Sequence, residues 1–353
     1  MRIFAAAFGS WSGSAALGMQ MTPADSLRCE VRRSFLLLTF VTCACIAAAA
    51  SAKDVAYRAP RLANGHPDLQ GSWDHIDATP LERLAGFSTL VITAEQARQI
   101  EQLIKEVAEN PNIPTDSTDY FNERHMLPIR GELRSSIIID PVDGQLPGTP
   151  AFREWRVKAR WNVLNGMDGP EQRPTSERCL GNPAAQPPNL YNPGTNLHQI
   201  VQTDDAVVFL SEVMGFARII RLNAQHAPAA VTSWSGDSIG WWEGDTLVVE
   251  TKNFTPSDTG RIVMGFAFLV SAQATVTERI TRISNDELDY LFTVEDAAYY
   301  MHPWTGETHF MRSNDRLLEY ACHEANYSLT FILQGGRARD ALTIRSTAGE
   351  LAK

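Results

Sequence analysis

Several familiar signatures of function are missing from this chain. There is no phosphate-binding loop and no Gly-x-Gly-x-x-Gly dinucleotide fingerprint, and the Gly-x-Ser-x-Gly run Gly236-Asp237-Ser238-Ile239-Gly240 leads into a β-hairpin, not from a strand into a helix, so it is no nucleophile elbow. No helical His-Glu-x-x-His and, beyond Cys43 and Cys45 in the N-terminal apolar run, no close cysteine pair points to a metal, so neither metal nor cofactor is expected. Basic runs are absent, as are internal repeats and low-complexity tracts. Cysteine is scarce, with five in 353 residues. Apolar runs are also scarce, and the one from Phe35 to Ala50 is short for a bilayer span.

That run has another reading. Arg28, Arg32 and Arg33 precede it, and it ends at Ala50-Ser51-Ala52. A basic segment, an apolar segment and an Ala-x-Ala site together describe a secretory signal peptide, with cleavage expected before Lys53. A retained anchor is the alternative. Arg32-Arg33-Ser34-Phe35-Leu36 partly matches the twin-arginine export pattern. The expected address is therefore periplasmic or secreted, in a bacterium, with the twin-arginine route open. Met19 or Met21 is a plausible alternative start.

Residues 1–52 carry four of the 31 basic residues (Arg2, Arg28, Arg32, Arg33) and two of the 41 acids (Asp25, Glu30). Cleavage leaves 27 basic and 39 acidic residues, a net charge of −12. So acidic a chain is a poor partner for nucleic acid or anionic membrane. No membrane insertion is expected after cleavage, and the oligomeric state stays open. Three cysteines leave with the signal. Cys179 and Cys322 remain, an even pair in an oxidising compartment, and a disulfide between them is expected to tie the middle of the chain to its last strands. Two buried thiols are the alternative.

Residues 53–196 are expected to form a helical and irregular part, and residues 197–353 a β-barrel-like part, within one domain. Lys53–Leu90 is rich in Pro, Gly and Asp and reads as a surface wrap. Thr93-Ala94-Glu95-Gln96 is a capping box for a helix running to about Glu109. Ser135–Asp140 reads as a strand, Thr149–Leu164 as a helix and Pro170–Pro193 as a long irregular loop. From Leu197 onward β-branched alternation dominates. Strands are expected over Leu197–Thr203, Val207–Glu212, Ala217–Leu222, Ile239–Trp242, Thr246–Thr251, Ile262–Val270, Thr275–Ile283, Leu288–Val294, Thr308–Arg312, Leu317–Ala321 and Ser328–Leu333. The clearest local unit is a hairpin, Trp241-Trp242 and Thr246–Thr251 around Glu243-Gly244-Asp245. Consecutive strands with short turns make an antiparallel meander, which closes or curls to protect its edges. The fold class is thus mostly β, a barrel or strongly curled sheet with N-terminal helices and long irregular segments.

The run Gly65-His66-Pro67-Asp68-Leu69-Gln70-Gly71-Ser72-Trp73, followed by Thr79-Pro80-Leu81-Glu82-Arg83, resembles the opening of a widespread, uncharacterised group of secreted bacterial proteins. Ile139-Asp140-Pro141-Val142-Asp143-Gly144, the Trp-Glu-Gly-Asp-Thr hairpin and Glu319–Tyr327 are similar to later segments of that group. The resemblance spans the mature chain. It implies a shared address and fold and carries no activity. One departure is the tryptophan pair, where the group's pattern has Arg before Trp-Glu-Gly-Asp.

Strand alternation supplies a search rule for chemistry, because successive residues face in and out of a barrel. His198 shares a face with Ile200, Glu212 with Leu210, Arg218 with Ile220, Glu278 with Ile280 and Glu250 with Val248. If those faces point inward, His198, Glu212, Arg218, Glu278 and Glu250 form a polar constellation in an apolar wall. The competing expectation is a structural ion-pair network. Cys322-His323-Glu324 with Tyr327 is the densest polar cluster, with His323 and Tyr327 as candidate base and acid. His302, Glu307 and His309 are a weak candidate metal set. Trp241, Trp242, Tyr300 and Trp304 are candidates to stack a ligand. Three functions follow: a barrel that binds a small, partly apolar molecule; a lyase, isomerase or hydrolase using His/Glu/Tyr acid–base chemistry there; or a structural envelope protein. Whether the protein is an enzyme stays open.

Overall fold

The computed structural model describes residues 57–108, 125–191, 196–257, 260–263 and 266–351. The expected signal peptide lies outside the described residues. Twelve strands are present among the described residues: β1 (Gly71–Asp74), β2 (Ile138–Asp140), β3 (Leu197–Gln202), β4 (Ala206–Ser211), β5 (Ala217–Leu222), β6 (Asp237–Glu243), β7 (Thr246–Lys252), β8 (Arg261–Val263), β9 (Phe266–Phe268), β10 (Thr275–Arg282), β11 (Glu287–Glu295) and β12 (Trp304–Ser313). The helices are α1 (Ala94–Ala108), α2 (Pro150–Asn165) and α3 (Ser328–Leu351).

The main sheet runs β1-β3-β4-β5-β6-β7-β10-β11-β12, and β1 pairs again with β12, so nine strands close a barrel. β12 is long enough to share one edge: Met311–Ser313 pair with β1, while Thr305 and Gly306 pair with β2. Closure removes the free edges that make an open meander prone to pairing with other chains. The expected barrel is therefore present. All its pairings are antiparallel except β5–β6, which is parallel and is connected by the crossover of residues 223–236.

The alternation that marks these strands is physical. β10, Thr-Val-Thr-Glu-Arg-Ile-Thr-Arg, buries every second residue, Val276, Glu278, Ile280 and Arg282. The inward set includes Ile200, Val207, Phe209, Ile220, Leu247, Val249, Val276, Ile280, Leu288, Phe292 and Phe310, all in one apolar core. Trp73 of β1 is fully buried in that core, with the Arg312 guanidinium 4.5 Å above its ring.

The capping box of α1 is reciprocal. Thr93 Oγ1 accepts from Gln96 N at 3.2 Å, and Gln96 Oε1 accepts from Thr93 N at 2.9 Å. α2 starts with Pro150 behind Thr149, whose hydroxyl accepts from Phe152 N.

Several expectations are corrected. Gly71–Asp74, expected within a surface wrap, is the strand that closes the barrel, so the barrel draws strands from both sides of residue 197. Ile262–Val270 is not a barrel strand; β8 and β9 pair with each other instead. Leu317–Ala321 forms no strand, and Ser328–Leu333 opens the helix α3. The run Ser-Leu-Thr-Phe-Ile-Leu alternates locally, but Arg337–Leu342 downstream are strong helix formers that continue it as a helix. The Cys179–Cys322 disulfide is present. It joins the irregular middle segment to the turns before α3, not to a last strand.

Candidate functional site

Barrel geometry gathers the polar side chains that alternation places inside. Arg218 of β5 and Glu278 of β10 are both buried and form a two-pronged ion pair, with Arg218 Nη1 2.9 Å from Glu278 Oε1. Every remaining Arg218 donor is used. Nε donates to Ser238 Oγ at 2.9 Å, Nη2 also to Thr251 Oγ1 at 2.9 Å, and Nη1 also to Asn189 Oδ1 at 3.3 Å. Tyr290 donates to Glu278 Oε1 at 2.6 Å and accepts from Asn189 N at 2.8 Å. Burial opposes the Arg218 charge, but Glu278 more than offsets it and raises the guanidinium above its ordinary value. Burial, then the neighbouring Glu278 charge, pushes the Tyr290 phenol well up. Asn189 comes from the Pro-rich segment, whose residues Ala184, Ala185, Leu190 and Tyr191 are buried. Its neighbour Pro187 accepts from Arg261 through its carbonyl. Each charge in this network has a partner, so it fastens strands and plug together.

Two buried histidines differ in kind. His198 of β3 faces Ser211 of β4 in register, with Nδ1 2.9 Å from Ser211 Oγ. His75, one residue past β1, places Nε2 2.9 Å from Thr308 Oγ1 of β12. Both rings pack on Phe310, His75 at 5.0 Å and His198 edge-on at 5.4 Å between centroids. Burial lowers the His198 imidazole to about 4. Burial also lowers His75 well below its ordinary value, and the nearby His198 and His309 lower it further. Both rings are therefore neutral near pH 7. The second nitrogen of each, His75 Nδ1 and His198 Nε2, is buried without a hydrogen-bond partner. Such atoms are uncommon in folded proteins because each forfeits its hydration.

A related pair lies in the strip where β12 passes from β2 to β1. His309 Nδ1 is 2.9 Å from Glu287 Oε1, and its Nε2 has no partner. Asp77 Oδ1 accepts from Thr79 N, the Thr79 hydroxyl and Leu127 N, while Oδ2 has no partner. Burial raises the Asp77 carboxyl. Arg130 and Arg134 balance Asp289 and Glu307 alongside.

The other expected site residues are scattered. Glu212 is the first residue past β4, where the backbone turns to helical angles, and it accepts from Leu318 N at 2.8 Å. Glu250 faces outward to His226 and Lys252. The inward faces of β4 and β7 carry Phe209 with Ser211 and Leu247 with Val249, so the expected lumen positions of Glu212 and Glu250 are corrected. Trp241 bonds Glu243 through its Nε1–H, and Trp242 stacks on His66 at 4.9 Å. Tyr300 donates to Leu269 O and accepts from Leu269 N. Trp304 is fully buried, edge-on to Phe268 and Phe292. His323 and Tyr327 are exposed beside the disulfide. His302 is exposed, and among the described residues no group of three His, Cys, Asp or Glu is placed to hold a metal ion.

Sequence reasoning missed His75, Asp77, Thr308 and Asn189. The signal for His75 was present in Trp73-Asp74-His75, which puts the imidazole on the tryptophan's face. Comparisons with protein-family models, curated proteins and solved structures found no match.

Proposed function

We propose that the protein binds a small, partly apolar molecule at the end of the barrel lined by His75 and His198. The carrying observation is the pair of neutral, fully buried imidazoles, each oriented by a hydroxyl and each with an unpartnered nitrogen. A ligand with one hydroxyl or carbonyl satisfies those nitrogens and rests its apolar body on Phe310. The Arg218–Glu278 pair neutralises itself, so the site favours an uncharged molecule. We also read the chain as an exported member of the secreted bacterial group it resembles, on its N-terminal sequence and motifs.

An acid–base enzyme built on the same two histidines is the second reading. It is favoured by one observation: His198 stays unprotonated near neutrality and its Nε2 is uncommitted. Glu278 is a weaker candidate base, because Arg218 and Tyr290 occupy both of its oxygens.

Calorimetric titration with phenol, a neutral aromatic alcohol, tests the binding reading. Saturable binding to the native protein, weakened about tenfold in His198→Phe, is expected for the loss of one buried hydrogen bond. Equal binding by both proteins, or none by either, contradicts it.

A further inference from the structure

The overall acidity of the chain conceals a local exception. Helix α2, Pro-Ala-Phe-Arg-Glu-Trp-Arg-Val-Lys-Ala-Arg-Trp-Asn-Val-Leu-Asn, carries four basic residues and one acid. Phe152 and Trp155 are buried and set its inner face. On the opposite face Val157 is 74% exposed and Trp161 64% exposed, one helical turn apart. Arg153, Lys158 and Arg160 are exposed around them. Val157 and Trp161 thus stand in water among three exposed cations, with Glu154 the one exposed acid on the same face. Near the C-terminal end of α2, Met167 packs against Gly336 of α3. α3 adds exposed Phe331 and Leu342, which share a stripe with Arg345.

We propose that the outer face of α2 docks on an anionic phospholipid surface, with Trp161 and Val157 at headgroup level and Arg153, Lys158 and Arg160 on the phosphates. Charge complementarity favours this occupant. A second copy of the chain brings the same cations, and like charges repel. A protein partner requires about 800 Å² on each side, more than one pair of apolar side chains supplies. A tryptophan among basic residues is the composition that settles at a membrane interface. The docking is peripheral, since no helix among the described residues is long and apolar enough to cross a membrane.

Flotation of the purified protein with phosphatidylglycerol–phosphatidylcholine vesicles tests the proposal, with pure phosphatidylcholine vesicles as the neutral control. The expected result is flotation with the anionic vesicles only, lost when salt is raised to about 0.5 M, where charges are screened over a few ångströms. Arg160→Glu and Trp161→Ser, both at exposed positions, should each lower partitioning about tenfold with unchanged circular dichroism. Absence of flotation overturns the proposal, as does flotation indifferent to both substitutions. Sedimentation velocity on the same samples supplies the remaining outcome. A dimer that both substitutions abolish would assign the face to a second copy and overturn the lipid assignment.

Discussion

Arg218 on β5 grips Glu278 on β10 across the barrel interior, although the two are 60 residues apart in the chain. The same guanidinium reaches Ser238 on β6, Thr251 on β7 and Asn189 in the plug. One side chain therefore ties four strands and the Pro-rich segment.

Removing one partner of that pair strands the other in an apolar interior. Glu278→Ala should destabilise the fold by about 3–5 kcal/mol, the cost of an uncompensated buried charge. Replacing both partners, as in Arg218→Met with Glu278→Leu, should cost much less. Urea unfolding of the three proteins measures the difference. Equal losses in the single and double variants would show that the ion pair is not the source.

Trp73 closes the barrel at the seam between β3 and β12 and is fully buried beneath Arg312. Trp73→Ala should cost about 3–5 kcal/mol, the range for a large core side chain replaced by a cavity. Thermal unfolding reads this directly. A loss within about 0.5 kcal/mol, the range for exposed sites, would mean the seam is not where stability resides.

The disulfide spans 143 residues of sequence. Cys322→Ser should lower stability by about 2–5 kcal/mol. Reductant should lower the Tm of the native protein and leave that of the variant unchanged. Mass spectrometry of the oxidised native protein should show a mass two hydrogens below the reduced form.

The histidines make stability depend on acidity with a defined sign. His198 has its imidazole lowered from 6.5 to about 4 in the fold, so the unfolded chain binds the proton more tightly. Its contribution is complete above pH 6.5 and is lost as the pH falls through that window toward 4, reaching about 3 kcal/mol. His75, shifted in the same direction, adds to the loss. Denaturant midpoints measured between pH 7 and 4 should therefore fall, and His198→Phe should flatten the slope. Imidazole resonances of His198 that titrate near 6.5 would refute the burial argument.

The barrel was legible because its strands carry a period of two and short turns, as in β6–β7 and β10–β11. β1 was not legible. Gly-Ser-Trp-Asp is four residues long, and it is a strand because both neighbours, β3 and β12, offer it an edge. Such tertiary pairing overrides weak local propensity. α3 was misread for the opposite reason, since six alternating residues satisfied the strand pattern before the helical run began. Of the candidate site, alternation located His198, Arg218 and Glu278 on inward faces. It went wrong for Glu250 because a strand with apolar residues on both faces, such as Thr-Leu-Val-Val-Glu-Thr-Lys, does not declare which side is in, and for Glu212 because β4 ends one residue before it. Thr308 as a partner of His75, and Asn189, depend on closure and on the Pro-rich segment, which no local pattern encodes.

The most direct measurement is native mass spectrometry of the protein isolated from its own host, compared with its denatured mass and with the His75→Phe, His198→Phe double variant. Ligand binding between the two imidazoles predicts an added small-molecule mass on the native protein that denaturation releases and the double variant lacks. A bare native mass, or an adduct carried equally by the variant, would contradict a binding site at His75 and His198.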